Sequence, residues 1–425
     1  MRQSHNIVLF TESYPYASIT EEVFIVPDVI ALSKKFDKVY IIPLVKSGQL
    51  LELPDLPNVF VDTSLACNKL QHSRLKKSIL SFHPFVLYHS FRNLFEAKSI
   101  KQWLKGHYYN INCISISSIV KKVLRKYNLT PDNTLLYTFW FLNTTTALSR
   151  LSQNTNHWKI VSRAHNHDIY ENHTHNVFIS PHLRNWTLKH VDYIYPVSNA
   201  AEIYLKEKYP LYHNKIRLNR IGSTKLFKHI NPTYDNMCNE FTILSVSRVV
   251  HIKRVDLNLE LVKQLALLNP SKHFKWIHIG DGESISELKT AVNKTRLTNL
   301  TIELKGKLNN IDVQKLYVST HIDLFILLSS IEGLPIAICE AMSYSIPVAA
   351  TDVGGNNEII SNENGFFVNP DDIYSAAKKI TEIINNPQQI KFMRQAAYNT
   401  WHSQYCADKL RLEFANNLRM LESSN

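Results

Sequence analysis

The chain has 425 residues, and 44% of them are hydrophobic, which is enough for two domains with buried cores. Lys and Arg number 48 against 36 Asp and Glu. The resulting net charge of +12 favours an anionic partner such as nucleic acid, a phosphorylated small molecule or an anionic membrane surface. The five cysteines are scattered and form no CxxC pair, which argues against a disulfide framework or a zinc site and favours a reducing compartment.

The N-terminal sequence lacks the long apolar segment of a signal peptide, and no stretch approaches the roughly 18 apolar residues that a spanning helix needs. We therefore expect a cytoplasmic protein. The first half begins as strand, loop, helix and strand, which predicts a parallel sheet. The predicted strands of this half lie at 7–10, 39–44, 59–61, 134–138, 158–162 and 193–196.

Residues 67–107 carry eight Lys or Arg and a single acid, Glu96, with apolar residues interleaved among the charges. Such a mixture is typical of a segment that lies on anionic lipid. The alternative is an ordinary surface helix whose basic residues face the solvent. We predict that this segment places the protein on the anionic inner face of the cell membrane as a peripheral protein.

A polar stretch at 226–240 contains few aliphatic residues, which predicts a linker between two domains. Beyond the linker, strand and helix patterns alternate regularly, as in a doubly wound parallel sheet. A last helical stretch, 387–421, is too long to serve only the second sheet. The predicted strands of the second half lie at 241–246, 274–279, 301–304, 324–328 and 348–350.

Glycine is rare and unevenly distributed, because seven of the ten glycines fall between residues 280 and 365. A glycine is needed where φ is positive or where a ligand comes close to the backbone. The clustering therefore predicts ligand-binding loops in this part of the chain. Tight turns between strands and helices would by themselves account for about half of these glycines.

The segment 327–360 combines several signals. A strand ends in a loop that carries Glu332, Pro335 opens a helix, and Glu340 follows about two turns later. The free N–H groups of this helix face the crevice beyond the carboxyl end of the strand. The loop residues that belong to the predicted site are Gly333, Leu334 and Pro335.

The two glutamates of this segment suit a sugar nucleotide. A carboxylate has two acceptor oxygens and no donor, so Glu332 is predicted to accept hydrogen bonds from sugar hydroxyls and Glu340 from both hydroxyls of a ribose. The alternative is a solvated Glu beside a helix-surface Glu. The strand, proline and helix around them favour the binding role.

Cations for a diphosphate follow the strand at 241–246. Arg248 and Lys253 lie directly beyond the strand end, and Arg offers a fork and Lys a point charge to phosphate oxygens. The alternative is a charged surface loop. Gly282 is predicted to let the backbone line the crevice, and Lys307 with Leu308 to contact the base. No DxD triplet occurs, so a divalent ion on the diphosphate is not required.

His165 lies in a polar segment, 162–171, that follows a predicted strand. It is predicted to donate to a sugar hydroxyl or a backbone group at the reaction centre, the alternative being a solvated surface histidine. Metal binding by this residue with three nearby histidines competes with that idea. Their spacing fits no zinc motif and cysteine partners are missing, so we predict no metal site. The three other histidines are His167, His173 and His175.

On these residues the second half resembles the family-4 retaining glycosyltransferases, which have the GT-B fold. The first half is similar to a narrower group that builds bacterial capsule, lipopolysaccharide or exopolysaccharide, through 13–16, 22–24, 137–140, 163–168 and 196–198. The resemblance of the second half rests on Arg248 with Lys253, Gly280 to Gly282, Glu332 with Glu340, and 353–358.

The resemblance implies an α/β protein of two Rossmann-like, doubly wound domains that face each other across a cleft. It assigns 1–225 to an acceptor-binding domain, 226–240 to the linker and 241–395 to a nucleotide-sugar-binding domain. Residues 396–425 would form a helix that crosses back and packs on the first domain.

The resemblance also implies roles for the site residues. Arg248 and Lys253 would hold the diphosphate, Glu332 the donor sugar and Glu340 the ribose, while His165 would face the sugar from the other domain. Retention is explained in this family by attack on the same face as the leaving diphosphate, which assists deprotonation. No carboxylate nucleophile is then needed.

The sequence therefore predicts a retaining glycosyltransferase that moves a hexose from a UDP- or GDP-sugar to a growing, lipid-linked surface glycan. It would need neither a permanently bound cofactor nor a metal. One alternative is a GT-B enzyme that transfers nothing, such as a nucleotide-sugar epimerase. Another is a basic nucleic-acid-binding protein, although no recognisable nucleic-acid motif is present.

Overall fold

The structure, a computed structural model, describes residues 4–16, 21–67, 74–153, 157–165, 168–170, 179–228 and 240–423. The chain forms two compact units: unit 1 comprises residues 1–221 with 411–425, and unit 2 comprises residues 222–410. Within these ranges each unit contains one six-stranded sheet, and all the strand pairs described in both sheets are parallel.

The sheet of unit 1 has the strand order β3-β2-β1-β4-β5-β6. Its first strand is buried along its whole length, as expected for a parallel strand with helices on both faces, and its residue Ile7 pairs with Val39 on one side and Leu135 on the other. The strands are β1 Asn6–Thr11, β2 Lys38–Pro43, β3 Val59–Val61, β4 Thr134–Thr138, β5 Lys159–Ala164 and β6 Tyr193–Pro196.

The helices of unit 1 follow the strands in the crossover pattern that parallel strands require. A long excursion between β3 and β4 contains three helices, and the last of these runs for 27 residues. The helices are α1 Glu22–Ser33, α2 Arg74–Leu80, α3 Pro84–Asn93, α4 Ile100–Lys126, α5 Asn143–Ser149, α6 Pro181–His190 and α7 Asn199–Lys208.

The sheet of unit 2 has the order β12-β11-β10-β7-β8-β9, which is the same arrangement as in unit 1 when its strands are counted from β7. Its strands are β7 Glu240–Val246, β8 His273–Ile279, β9 Leu300–Leu304, β10 Leu324–Leu327, β11 Val348–Ala350 and β12 Gly365–Phe367. Its helices are α8 Val255–Leu268, α9 Ile285–Lys294, α10 Asn310–Ser319, α11 Ile336–Ser343, α12 Asn356–Ile359, α13 Ile373–Ile384 and α14 Pro387–Thr400.

The last helix, α15 (Ala407–Ser423), joins the core of unit 1. Arg411 Nε lies 3.1 Å from Asp28 Oδ1, and Arg163 Nη1 lies 2.6 Å from Asp28 Oδ2. All three side chains are buried, so each charge depends on the others for compensation. Phe414 packs edge-on against Tyr195, with ring centroids 4.9 Å apart.

The predicted α/β fold is therefore confirmed: two doubly wound parallel sheets are present, and the terminal helix returns to the first domain. The predicted helical stretch 387–421 proves to be two helices, α14 and α15, separated by a π-helical turn at Trp401–Tyr405. Most of the predicted linker, residues 229–239, lies outside the described residues. No helix among the described residues combines the length and the apolar character needed to cross a bilayer.

Candidate functional site

The strand order of unit 2 reverses between β7 and β10, its first and fourth strands. Connections leave these two strands toward opposite faces of the sheet, and a crevice opens at their carboxyl ends. The loop after β7 contains Arg248 and Lys253, and the loop after β10 contains Glu332. The predicted site segments therefore meet at the edge of the sheet where α/β proteins bind ligands.

An ion pair joins the two loops. Lys253 Nζ lies 2.6 Å from Glu332 Oε1, and the two side chains are only 19% and 8% exposed. Ser330 N–H also donates to the carbonyl of Ile252 at 2.8 Å. The low exposure strengthens the attraction between the two charges, so the cation and the carboxylate hold each other at the crevice.

Arg254, for which the sequence suggested no role, braces the end of β10. Its Nε donates to the carbonyl of Leu328 and its Nη2 to that of Ser329, both at 2.9 Å. Its backbone is left-handed, with φ of 45°, where the chain turns from the loop into α8. Arg254 therefore acts on the protein backbone, while Lys253 next to it points at Glu332.

Two glycines lie where one loop of the site touches the next. A Cβ on Gly354 would lie 1.8 Å from the carbonyl oxygen of Glu332, and a Cβ on Gly280 would lie 1.8 Å from that of Ser247. Both residues have positive φ, 50° and 151°. The clustered glycines predicted as ligand-binding loops thus lie at the predicted edge, and the reason at these two positions is close packing between loops.

Glu340 lies in α11 and is 7% exposed. Asn310 Nδ2 donates to its Oε1 at 2.7 Å, and this amide is the only hydrogen-bond donor to the carboxyl group among the described residues. Burial raises the pKa of Glu340 to about 7, and the hydrogen bond from Asn310 opposes that rise. The carboxyl group can therefore be neutral or ionised near physiological pH.

The remaining predicted residues of unit 2 differ in their surroundings. Arg248 is exposed, and its side chain makes no hydrogen bond or ion pair with the described part of the chain, while its carbonyl accepts from Val250 N–H at 3.1 Å. Lys307 is also exposed, whereas Leu308 packs against the apolar cluster under the sheet. Gly282 N–H donates to Asp281 Oδ1 at 2.8 Å. Helix α11 begins one residue after Pro335, which occupies the N-cap position.

His165 belongs to unit 1 and follows β5. Its ring packs against Trp140 with centroids 4.3 Å apart, and its Nε2 lies 3.1 Å from the carbonyl oxygen of Phe139. A carbonyl only accepts, so Nε2 carries the hydrogen in that contact. Asp168 holds the backbone of both His165 and Phe141, because its carboxylate accepts from His165 N–H at 2.7 Å and from Phe141 N–H at 2.8 Å.

Two polar residues with several or specific hydrogen bonds, Asn310 and Glu21, were not predicted from the sequence. Asn310, the partner of Glu340, lies 30 residues away from it in the chain and has no distinguishing pattern. Glu21 is 3% exposed and accepts from the N–H groups of Ser13 and Tyr14 and from Trp140 Nε1. Glu21 directly precedes Glu22 at the start of α1, and a pair of acids at a helix start does not reveal which groups donate to them.

Among the described residues, no three His, Cys, Asp or Glu side chains come together as metal ligands. The predicted competitors His167, His173 and His175 lie outside those residues.

Residues 234–400 match the family described as "Glycosyl transferases group 1". This range contains every predicted site residue except His165. The O-antigen biosynthesis glycosyltransferase WbnH of Escherichia coli is 33% identical over 158 residues, which is 36% of this chain and 42% of WbnH. The E. coli UDP-Gal:alpha-D-GlcNAc-diphosphoundecaprenol alpha-1,3-galactosyltransferase is 28% identical over 149 residues, 35% of this chain and 38% of that protein.

The chain spans about 40% of the length of these curated relatives. The similarity to solved structures is more extensive: the crystal structure of Anabaena HepE in complex with UDP has a TM-score of 0.65 at 15% identity and covers 98% of this chain and 100% of that one. At that identity the match shows the fold. The chain thus has a GT-B fold, and the group 1 match over residues 234–400 supports the predicted enzyme class, a glycosyltransferase.

Proposed function

We propose that the protein is a retaining family-4 glycosyltransferase that moves a hexose from a nucleoside diphosphate sugar to a growing, lipid-linked surface glycan. The observation that carries this proposal is the Lys253–Glu332 pair at the point where the strand order of unit 2 reverses. When a sugar nucleotide binds there, the pair can separate, so that Lys253 contacts the diphosphate and Glu332 contacts the sugar.

The roles follow from charge and position. Lys253 and the exposed Arg248 supply positive charge to the diphosphate, and that charge counts most when the bond to the sugar breaks and negative charge grows on the leaving oxygen. Glu332, released from Lys253, accepts hydrogen bonds from the sugar hydroxyls. Glu340 accepts from the ribose hydroxyls in its ionised form.

The transfer itself needs no nucleophile from the protein. The acceptor oxygen forms a bond to the anomeric carbon on the face from which the nucleoside diphosphate departs. The carbon–oxygen bond to the diphosphate breaks, and the departing diphosphate takes the proton of the acceptor hydroxyl. The role of His165 is then to position the donor sugar. No step requires a metal.

Two of the similar proteins support the choice of donor and acceptor. The HepE structure contains UDP, and the E. coli galactosyltransferase is named for a UDP-sugar donor and a diphosphoundecaprenol-linked acceptor. We infer a UDP- or GDP-sugar as donor and a lipid diphosphate carrying a glycan as acceptor, in the assembly of lipopolysaccharide, capsule or exopolysaccharide.

A peripheral position on the cytoplasmic face of the membrane belongs to this proposal. Helices α2 to α4 expose many apolar side chains beside Arg92, Lys98 and Lys101, which are also exposed. Apolar and basic groups together fit an anionic lipid surface. The exposed apolar residues of these helices and their connections are Ile79, Phe82, Leu87, Tyr88, Phe91, Leu94, Phe95, Ile100, Leu104 and Tyr108. The variant Arg92→Glu with Lys98→Glu should sediment less with anionic vesicles, and unchanged sedimentation would contradict the membrane role.

One experiment tests the central proposal. UDP-, GDP- and ADP-hexoses are compared by thermal shift, since a ligand at about 100 times its Kd stabilises its protein by about 2.7 kcal/mol. The best donor is then incubated with membrane extract, and the anomeric configuration of the product is read by NMR. A product with the donor's configuration is expected. An inverted product, or an epimerised sugar nucleotide formed without acceptor, would refute the proposal.

A further inference from the structure

Unit 1 contains a cavity of about 580 Å³ at its own point of strand-order reversal. Phe10 and Thr11 at the carboxyl end of β1 and Thr138 at that of β4 form its floor. These are the first and fourth strands of the sheet, so the cavity occupies the place where a doubly wound sheet binds ligands. Its volume lies within the range of about 300–1,000 Å³ that small-molecule sites have.

The walls of the cavity are largely apolar and partly open. Leu44, Leu142 and Trp140 line it together with Val45 and Leu104, which are 44% and 53% exposed. Apolar side chains that remain exposed around a concavity mark a site that an apolar group covers. The occupant therefore brings a hydrocarbon part.

Helix α4 adds positive charge at the same cavity. Lys101 and Lys105 lie one turn apart and both line it, whereas Glu12 is the one acid among its described lining residues. A smaller adjoining cavity of about 170 Å³ shares Tyr108 as a lining residue and includes Lys77, whose Nζ lies 2.5 Å from the Tyr108 hydroxyl oxygen. The occupant therefore also carries negative charge next to its hydrocarbon part.

Trp140 links the cavity to the predicted reaction centre. One part of its side chain lines the cavity, its ring packs on His165, and its Nε1 donates to the buried Glu21 at 2.5 Å. Glu21 also accepts from three successive backbone N–H groups, those of Glu12, Ser13 and Tyr14. The indole is therefore fixed between the cavity and His165.

We propose that this cavity binds the lipid diphosphate end of the acceptor, with the first isoprenoid-like units on the apolar wall and the phosphates at Lys101 and Lys105. This inference rests on the proposed function for its acceptor, and it adds the lipid class and the residues that recognise it. The glycan end of the acceptor would then leave the cavity past Trp140 toward His165.

Direct binding of farnesyl diphosphate tests the proposal without any measurement of activity. Calorimetry is carried out with both UDP and GDP present at saturating concentration, so that the donor site is blocked. Farnesyl diphosphate should bind at least about tenfold more tightly than inorganic diphosphate or farnesol, because only the first ligand satisfies both the lysines and the apolar wall. Equal affinity for inorganic diphosphate would overturn the proposal.

Matched variants locate the site. Lys101→Glu and Leu104→Glu should each weaken farnesyl diphosphate binding about tenfold or more, whereas Lys98→Glu and Ile100→Glu should not. The controls lie about three or four residues before the test positions and are exposed, but they do not line the cavity. Equal losses in tests and controls would overturn the proposal, since they would indicate general attraction to a basic surface.

A phospholipid also combines an apolar chain with a phosphate, so it is the competing ligand for this cavity. Dihexanoylphosphatidylglycerol should bind at least about tenfold more weakly than farnesyl diphosphate, and comparable affinity would overturn the proposal in favour of a membrane anchor site. Failure of the proposed function is recognised separately, because it would appear as absent sugar transfer by a protein that still binds farnesyl diphosphate.

Discussion

The two units carry the same sheet with the same strand order, but they present different chemistry at its carboxyl edge. In unit 2 the loops after β7 and β10 bring together an ion pair, Lys253 with Glu332, and a nearby helix carries a buried carboxyl group, Glu340. In unit 1 the ends of the corresponding strands, β1 and β4, line a largely apolar cavity beside α4. The sheet topology determines where a ligand binds, and the inserted loops and helices determine which ligand it is.

The difference arises from the connections rather than the strands. In unit 2 the first and fourth strands are followed by short loops that lead into helices, so backbone N–H groups and charged loop residues reach the crevice. In unit 1 a long excursion of three helices precedes the fourth strand, and its last helix brings leucine and lysine side chains to the cavity. A polar site and an amphipathic one therefore form on equivalent sheets.

The largest effect is expected from Lys253→Ala in unit 2. The variant loses the cation for the departing diphosphate and leaves Glu332 unpaired with 8% exposure, so kcat/KM for the donor should fall by about 10²–10³-fold. Steady-state kinetics with a varied donor concentration measures this. Lys263→Ala is the control, because that lysine pairs with Glu260 on the outside of α8 at 2.8 Å, and its activity should stay near wild type. The contrast between the units fails if Lys101→Ala lowers donor kcat/KM as much.

A smaller effect is expected from Gly354→Ala. A Cβ there would lie 1.8 Å from the Glu332 carbonyl oxygen, so the loop that carries Glu332 must move, and the left-handed φ of 50° adds about 1–2 kcal/mol of strain. The KM for the donor should rise about tenfold. Gly48→Ala in unit 1 is the control, since Gly48 has φ of 80° but is exposed. It should lose stability in thermal unfolding with an unchanged donor KM; equal donor KM values for the two variants would contradict the packing argument.

The smallest effect is a pH dependence of donor binding through Glu340. Burial raises the pKa of this carboxyl group to about 7, so it ionises between about pH 6 and 8, and the ionised form is the better acceptor for ribose hydroxyls. The Kd for the donor should therefore fall by up to about tenfold over that range. Calorimetry at several pH values measures it, and Glu340→Gln should flatten the profile. An equally steep profile in that variant would assign the pH dependence to another group.

The raised pKa of Glu340 also predicts that the stability of the ligand-free protein falls as the pH rises, whereas donor binding becomes tighter. A carboxyl group with a raised pKa holds its proton in the folded protein between about pH 4.5 and 7 while the unfolded chain has lost it. Its contribution to stability is thus present in full below about pH 4.5 and is lost as the pH rises through 7. The free energy of unfolding of the wild type should fall over this range relative to that of Glu340→Gln.

Much of the fold was predictable because local patterns determine it. The predicted strands at 134–138 and 193–196 coincide with β4 and β6, and the strand, loop and helix around Glu332 are present as predicted, with Pro335 at the N-cap rather than in the first turn. Apolar runs between turn residues define buried parallel strands, and their alternation with helices defines a doubly wound sheet. The order of the predicted segments also placed Lys253 and Glu332 at one edge.

The sequence alone thus predicted eleven of the twelve described strands and the identity of the charged residues at the unit 2 edge, while the return of the last helix was implied by the family resemblance. Only the tertiary structure decided which of them meet. Lys253 and Glu332 are 79 positions apart, Glu340 and Asn310 are 30 apart, and the cavity of unit 1 draws its lining from residues between 10 and 144. Periodicity reports the environment of a residue within its own strand or helix. Pairing between distant loops depends on the packing of the whole sheet, so no local pattern encodes it.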